Sequence, residues 1–172
     1  MKNVILVGMM SSGKSTLGKK LARLLGYRFL DLDKLIEKDQ GSDIPSIFSS
    51  KGESHFREVE SRLLKELGSQ EGIVLASGGG TPCFHDNMGF IKNLGVSVFL
   101  DVPAANLAKR IRNHGKDDRP ILSGATSLEA ALQAKIDERL PFYSQADVVI
   151  KGDIEASHLI DVLAPHLRKN LH

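Results

Sequence analysis

The sequence predicts an α/β domain in which a parallel sheet carries helices on both faces. Two observations predict it. Five short apolar runs rich in strand formers recur along the 172 residues, and segments of helical periodicity separate them. Parallel neighbours need a crossover between them, usually a helix, so this alternation implies a sheet covered on both sides. Ligands of such sheets bind beyond the carboxyl ends of the strands.

The elements follow in order. VILVG (4–8) is the first strand, and Leu17, Leu21, Leu24 and Leu25 fall on one face of a helix stopped by Gly26. RFLDLD (28–33) is the second strand. Phe56, Val59, Leu63, Leu64 and Leu67 form the stripe of a helix that opens in GESHFREVE (52–60) and ends at Gly68. IVLAS (73–77) and VSVFLDV (96–102) are the next strands. Thr126 and Glu129 have the spacing of a capping box for a helix through Leu128, Leu132, Ile136 and Leu140. DVVIK (147–151) is the last strand, and residues 155–169 make a closing amphipathic helix.

Composition narrows the class. With 41% hydrophobic residues, the chain 1–172 reads as one domain with a sizeable core. A net charge of +2 from 23 basic and 21 acidic residues argues for no nucleic-acid partner. The single cysteine, Cys83, excludes an internal disulfide and a cysteine-based zinc site. No apolar run approaches the roughly 18 residues of a membrane span, and the first strand begins without a signal peptide. A soluble, cytoplasmic protein with no membrane partner is expected.

GMMSSGKST (8–16) carries the chemistry. Gly8, Gly13, Lys14 and Ser15 match G-x-x-x-x-G-K-[ST] between a strand and a helix. Glycines let successive N–H groups turn inward, and the helix N-terminus adds positive potential. Ser11, Ser12, Gly13, Lys14, Ser15 and Thr16 are the expected ATP contacts, with Lys14 on the outer phosphates and Ser15 on Mg²⁺. No Asn-Lys pair occurs, so the N-K-x-D signature of guanine-specific switches is absent. A small-molecule or nucleotide kinase suits a P-loop domain of this length.

Other polar stretches allow two readings each. Asp31 and Asp33, two apart, share one side of a strand end, where they either serve Mg²⁺ and an acceptor hydroxyl or cap the next helix. Arg57 stands i+4 from Glu53 and i−3 from Glu60, which fits a surface ion-pair ladder as well as a binding role. His55 reads as helix surface. The glycines of ASGGGTP (76–82) either permit close approach to a ligand or form a plain loop. RNHGKDDRPILSGA (112–125) has the composition of a mobile lid, with Lys116 and Arg119 as phosphate contacts, or of a solvated loop. Arg139 in DERLPFY (137–143) either snorkels or pairs with Asp137 or Glu138.

Taken in order and spacing, GMMSSGKST, DLDKLIE, GESHFREVE, ASGGGTP, RPIL and DERLPFY resemble shikimate kinase, from Val4 to about Ile150. The resemblance implies a five-stranded parallel sheet of the nucleoside-monophosphate-kinase-like group. It also implies phosphoryl transfer from ATP, with Mg²⁺, to the 3-hydroxyl of shikimate. By matching position, Asp33 holds the shikimate hydroxyls, Arg57 and Arg139 its carboxylate, and Gly79 touches the substrate. Asp31 sits near Mg²⁺, and Arg119 faces the phosphates from the lid. Lys14, Asp33 and Arg119 form the implied catalytic set, and about 33–60 the acceptor region. Arg110 and Arg112 compete for the adenine face, with Arg110 preferred, and KGDIEAS (151–157) matches no motif. A monomer acting on small molecules is expected. The rivals are a kinase of another hydroxy acid, such as gluconate, and a nucleotide-binding regulator without turnover.

Overall fold

The computed structural model describes residues 1–114 and 127–168. Five parallel strands, β1 (Asn3–Val7), β2 (Arg28–Asp31), β3 (Ile73–Ala76), β4 (Gly95–Asp101) and β5 (Val148–Lys151), pair in the order β2-β3-β1-β4-β5. Because β1 lies between β3 and β4, the chain leaves its carboxyl end at the point where strand order reverses, the place where such sheets open a crevice.

Every residue of β1 is buried, and its side chains alternate between two cores. Val4 and Leu6 join a cluster with α1 (Lys14–Leu25) and α7 (Ala156–Leu167). Ile5 and Val7 face a larger one, filled from α2 (Leu32–Gln40), α3 (Ile44–Glu66), α4 (Asn87–Leu94), α5 (Ala104–Asn113) and α6 (Leu128–Tyr143). The sheet is therefore covered on both faces, as the alternation predicts.

Several boundaries differ from the sequence reading. The second strand stops at Asp31 rather than running to residue 33, because Leu32 and Ile36, both wholly buried, already follow helical spacing. The helix opening in GESHFREVE is there, but it continues, across a kink at Gly52 (φ 84°), an unforeseen helix that starts at Ile44. Leu24 is 56% and Leu140 42% exposed, so neither belongs to its expected apolar stripe. In α1 the buried face is completed by Gly18 and Ala22 instead. Ser127, accepting from the Ala130 N–H at 3.1 Å, caps α6 in place of the expected Thr126–Glu129 box, and Thr126 itself lies outside the described residues.

Candidate active site

The loop between β1 and α1 is shaped by backbone demands. Gly8 (φ 146°), Ser11 (φ 61°) and Gly13 (φ 96°) all take positive φ, and a Cβ on Gly8 would lie 2.8 Å from the Leu100 carbonyl. Gly13 caps α1 without a side chain, and no acidic residue occupies the first turn. The helix N-terminus thus keeps its positive end for an anion. Lys14 folds back, its Nζ donating to the Gly8 and Met9 carbonyls at 2.7 Å each. Ser12 Oγ is buried and has no hydrogen-bond partner among the described residues. A phosphate oxygen in this cradle would satisfy it, so the loop fits the nucleotide phosphates.

Ser15 Oγ donates to Asp31 Oδ2 at 2.9 Å, which joins the two expected metal-site oxygens across the start of α1 and the end of β2. Hard oxygen donors of this kind suit a small divalent cation. Asp31 is at the same time the N-cap of α2, Oδ1 accepting from the Lys34 N–H at 3.3 Å. Capping and site roles are therefore not alternatives for Asp31. Asp33 does not share a strand face with it, since it belongs to the first turn of α2. The strand-to-helix turn, rather than strand periodicity, brings both carboxylates to the wall of one cavity of about 650 Å³.

Lys14, Ser15, Arg57, Gly79 and Arg139 line that same cavity. Arg57 is 4% exposed and Glu60 wholly buried, so their 3.0 Å pair is an interior contact and not part of a surface ladder. Only Glu53, at 3.4 Å from Arg57, lies in solvent. The Arg57 guanidinium also stacks on Phe84, 4.1 Å from the ring centroid. Burial pushes the Glu60 carboxyl up, against the pull of Arg57 and of the Thr81 hydroxyl. Arg139 is equally buried, yet among the described residues no carboxylate lies within ion-pair distance of it. Glu138 pairs with Lys135 and Asp137 takes Gln133, so neither expected partner holds it.

The glycine triplet is required by space. None of Gly78, Gly79 and Gly80 has positive φ. A Cβ on Gly80 would stand 2.5 Å from Arg57 Nη2, and one on Gly79 would stand 2.9 Å from Arg139 Nη1. One on Gly78 would crowd Thr81 Oγ1 at 2.9 Å, Asp33 Oδ1 at 3.0 Å and Glu60 Oε2 at 3.1 Å. The close approach inferred from the glycines is thus made by the protein's own charged side chains. Tyr143 braces the loop, its hydroxyl donating to the Gly79 carbonyl. Burial pushes this phenol up to about 12, so it keeps its proton. Sequence reasoning passed over Tyr143 and gave Glu60 only a pairing role. The i+3 spacing of Glu60 from Arg57 was the available signal, but it does not reveal burial.

A second cavity, of about 500 Å³, lies on the other side of the loop and is walled by Ser11, Ser12, Gly13, Thr16, Arg110 and the 152–156 segment. Arg110 donates to the Ser11 carbonyl at 3.0 Å and pairs with Asp153 at 2.5 Å. Arg112 is exposed and does not line it, which favours Arg110 of the two candidates. The unmatched KGDIEAS stretch supplies this wall. His55 hydrogen-bonds Gln40 Oε1 at 2.8 Å, and among the described residues no cluster of three or more His, Cys, Asp or Glu side chains is placed to hold a metal ion. Lys116 and Arg119 lie outside the described residues, as does nearly all of the expected lid.

Known proteins match the chain along almost its whole length. The shikimate kinase family profile matches residues 10–167. A shikimate kinase of Bacteroides fragilis is 42% identical over 178 residues, spanning all of this chain and 98% of the relative. The crystal structure of shikimate kinase from Bacteroides thetaiotaomicron superposes with a TM-score of 0.86 at 36% identity, covering 95% of this chain and 98% of that one. Shikimate kinase from Acinetobacter baumannii, solved in complex with shikimate, gives 0.87 at 35% identity over 100% and 96% of the two chains. With likeness of sequence and of structure both running end to end, this chain belongs to the shikimate kinase family.

Proposed function

We propose that the protein transfers the γ-phosphoryl group of ATP to the 3-hydroxyl of shikimate, giving shikimate 3-phosphate on the route to chorismate and the aromatic amino acids. The observation that carries this reading is Arg139, a buried guanidinium without a carboxylate in reach among the described residues, on the wall of a cavity that Arg57 also lines. An interior charge needs a counter-charge, and an acceptor carboxylate supplies one. A guanidinium fork suits that group better than an ammonium would. Asp33, on the same wall, orients the attacking hydroxyl, and Gly79 touches the ring.

Lys14 and Arg119 serve the phosphates, and Arg110 the adenine. Ser15 and Asp31 hold Mg²⁺, which when bound neutralises charge on the β- and γ-phosphates. The new O–P bond forms as the bond from the γ-phosphorus to the bridging oxygen breaks, ADP leaves, and the hydroxyl proton passes to solvent. The loose transition state makes positioning the protein's main task. The assignment includes one kinase domain over 1–172, an acceptor region of about 33–60, a lid of about 112–125, a monomeric state and the cytoplasm. It includes neither nucleic acid nor membrane as a partner. Among the described residues no helix is long and apolar enough to cross a membrane.

Arg57→Ala and Arg139→Ala are each expected to weaken shikimate binding by about 1.5–3 kcal/mol, the worth of a charged hydrogen bond. The double variant should lose less than the sum, because both side chains grip one group. An analogue with a neutral amide in place of the carboxylate should bind wild type poorly and lose little more in either variant. Titration calorimetry reads all of this; additive losses together with undiminished amide binding would refute the reading. Gly80→Ala is a milder test, since its Cβ would displace the Arg57 guanidinium while keeping the charge. Shikimate KM should rise several-fold with ATP KM unchanged, by about 1 kcal/mol or more of lost contact. A coupled ADP-release assay with a panel of hydroxy acids separates the rivals: turnover on gluconate but not on shikimate, or none on any acid, would overturn the proposal.

A further inference from the structure

Thr81, directly after the glycine triplet, has no part in the chemistry above, yet it is wholly buried against it. Its hydroxyl donates to Glu60 Oε2 at 2.7 Å, while Glu60 Oε1 accepts from Arg57 Nη1 at 3.0 Å. Behind Thr81, Asn87 Nδ2 donates to the Thr81 carbonyl at 2.9 Å, and Asn87 Oδ1 accepts from Ser61 Oγ at 2.8 Å. Arg57, Glu60, Ser61, Thr81 and Asn87 are each no more than 5% exposed, so the chain of contacts runs through the interior from α4 to the acceptor cavity. We propose that Thr81 is a positioning residue: its hydroxyl, carried on a backbone that Asn87 anchors from behind, fixes the Glu60 carboxylate in the orientation that keeps Arg57 turned into the acceptor cavity. The proposal rests on the assignment of Arg57 to the acceptor carboxylate.

Arg57 is held by two acidic residues of its own helix at once, Nη1 donating to Glu60 and Nε and Nη2 to Glu53. Glu60 holds it inward, and Glu53, 55% exposed and 3.4 Å away, offers an outer position. The inner position depends on a buried carboxylate whose two oxygens are divided between Arg57 and Thr81. Without the Thr81 hydroxyl, Glu60 Oε2 loses its donor where the residue is wholly buried. An unsatisfied buried carboxylate reorients or takes up a proton, and either change loosens its hold on Arg57. The other charged groups around Glu60 do not restore that hold. Asp33 on α2 carries the same charge, and the nearby Cys83 thiol, pushed up by burial, stays neutral.

The test is a coupling measurement. Thr81→Val removes the hydroxyl and keeps the shape, and should raise the shikimate Kd about tenfold with the ATP KM unchanged. Thr81→Ser, which keeps the hydroxyl, should bind shikimate like wild type. Thr81→Ala carries the same expectation as Thr81→Val, should the valine be too crowded to fold. In the Arg57→Ala background, Thr81→Val should cost nothing further, because the residue it positions is gone. Additive losses in that double variant would overturn the proposal, as would a serine variant as impaired as the valine, or an ATP KM that rises in step with shikimate. Should Arg57→Ala itself leave shikimate binding intact, the carboxylate assignment fails first. An enzyme sensitive to Arg57→Ala but indifferent to Thr81→Val refutes the positioning role alone.

Discussion

Lys14→Ala is expected to lower turnover by about 10²–10³-fold or more with every acceptor, through loss of a fixed positive charge at the transferring phosphoryl group. Lys14 is 8% exposed and its ammonium is held at 2.7 Å by the Gly8 and Met9 carbonyls, so it is preorganised inside the loop. Preorganisation is what makes one charge count for so much, since no reorganisation is needed as the transition state forms. The same burial changes what is expected of stability. Two carbonyls lose a charged donor, and a cost of about 1–3 kcal/mol follows. That lowers the melting temperature but leaves a cooperative transition, because the loop lies outside both apolar clusters apart from Met9 and Met10. Initial rates and a thermal melt on the same preparation decide the matter. A folded Lys14→Ala protein with wild-type turnover would refute the P-loop assignment.

Asp33→Asn is expected to lower kcat with shikimate by about 10²–10⁴-fold, the range for a side chain that orients or deprotonates a reacting group. ATP binding should change little, since the phosphate loop is untouched. The structure sharpens this expectation by separating the two aspartates. Asp31 caps α2, so a loss of rate at Asp33 cannot be ascribed to a broken cap. Burial chiefly raises the Glu60 carboxyl and Asp33 adds a smaller like-charge push, while the Asp33 charge itself stands in the first turn of α2, where the helix N-terminus favours it. A thermal melt on the same preparation separates a loss of rate from a loss of stability. Unaffected turnover would place the acceptor hydroxyl elsewhere.

Much of this was legible in the residues because it is local. A phosphate loop needs positive φ at given positions and a lysine one residue past the last glycine, and both are written consecutively in GMMSSGKST. Strands buried on both faces must be apolar throughout, so VILV, IVL and VSVFL betray themselves without any partner in view. Where local patterns overlap, the reading slipped. RFLDLD alternates like a strand to residue 33, but Leu32, Leu35 and Ile36 also have helical spacing, and the larger core buries Leu32 and Ile36 completely. Leu24 shows the reverse case, a leucine near the right face of α1 that finds no neighbour to bury it.

What the sequence by itself determined was therefore the order of the five strands, the phosphate loop and the identity of the charged residues at the strand ends. What only the tertiary structure decided was which of those charges are buried, and against what. Glu53, Arg57 and Glu60 are written as one ladder on one helix, yet Glu53 meets water while Arg57 is sealed under Gly80 and Phe84 and Glu60 against Gly78 and Thr81. Arg139 carries two acidic neighbours in sequence and turns away from both. The physical reason is that the energy of a charge depends on its surroundings far more than on its identity, and those surroundings are assembled from residues distant in the chain. Gly79 and Gly80 make that assembly possible by leaving out the atoms that would have kept Arg139 and Arg57 away, and Gly78 does the same for Asp33 and Glu60.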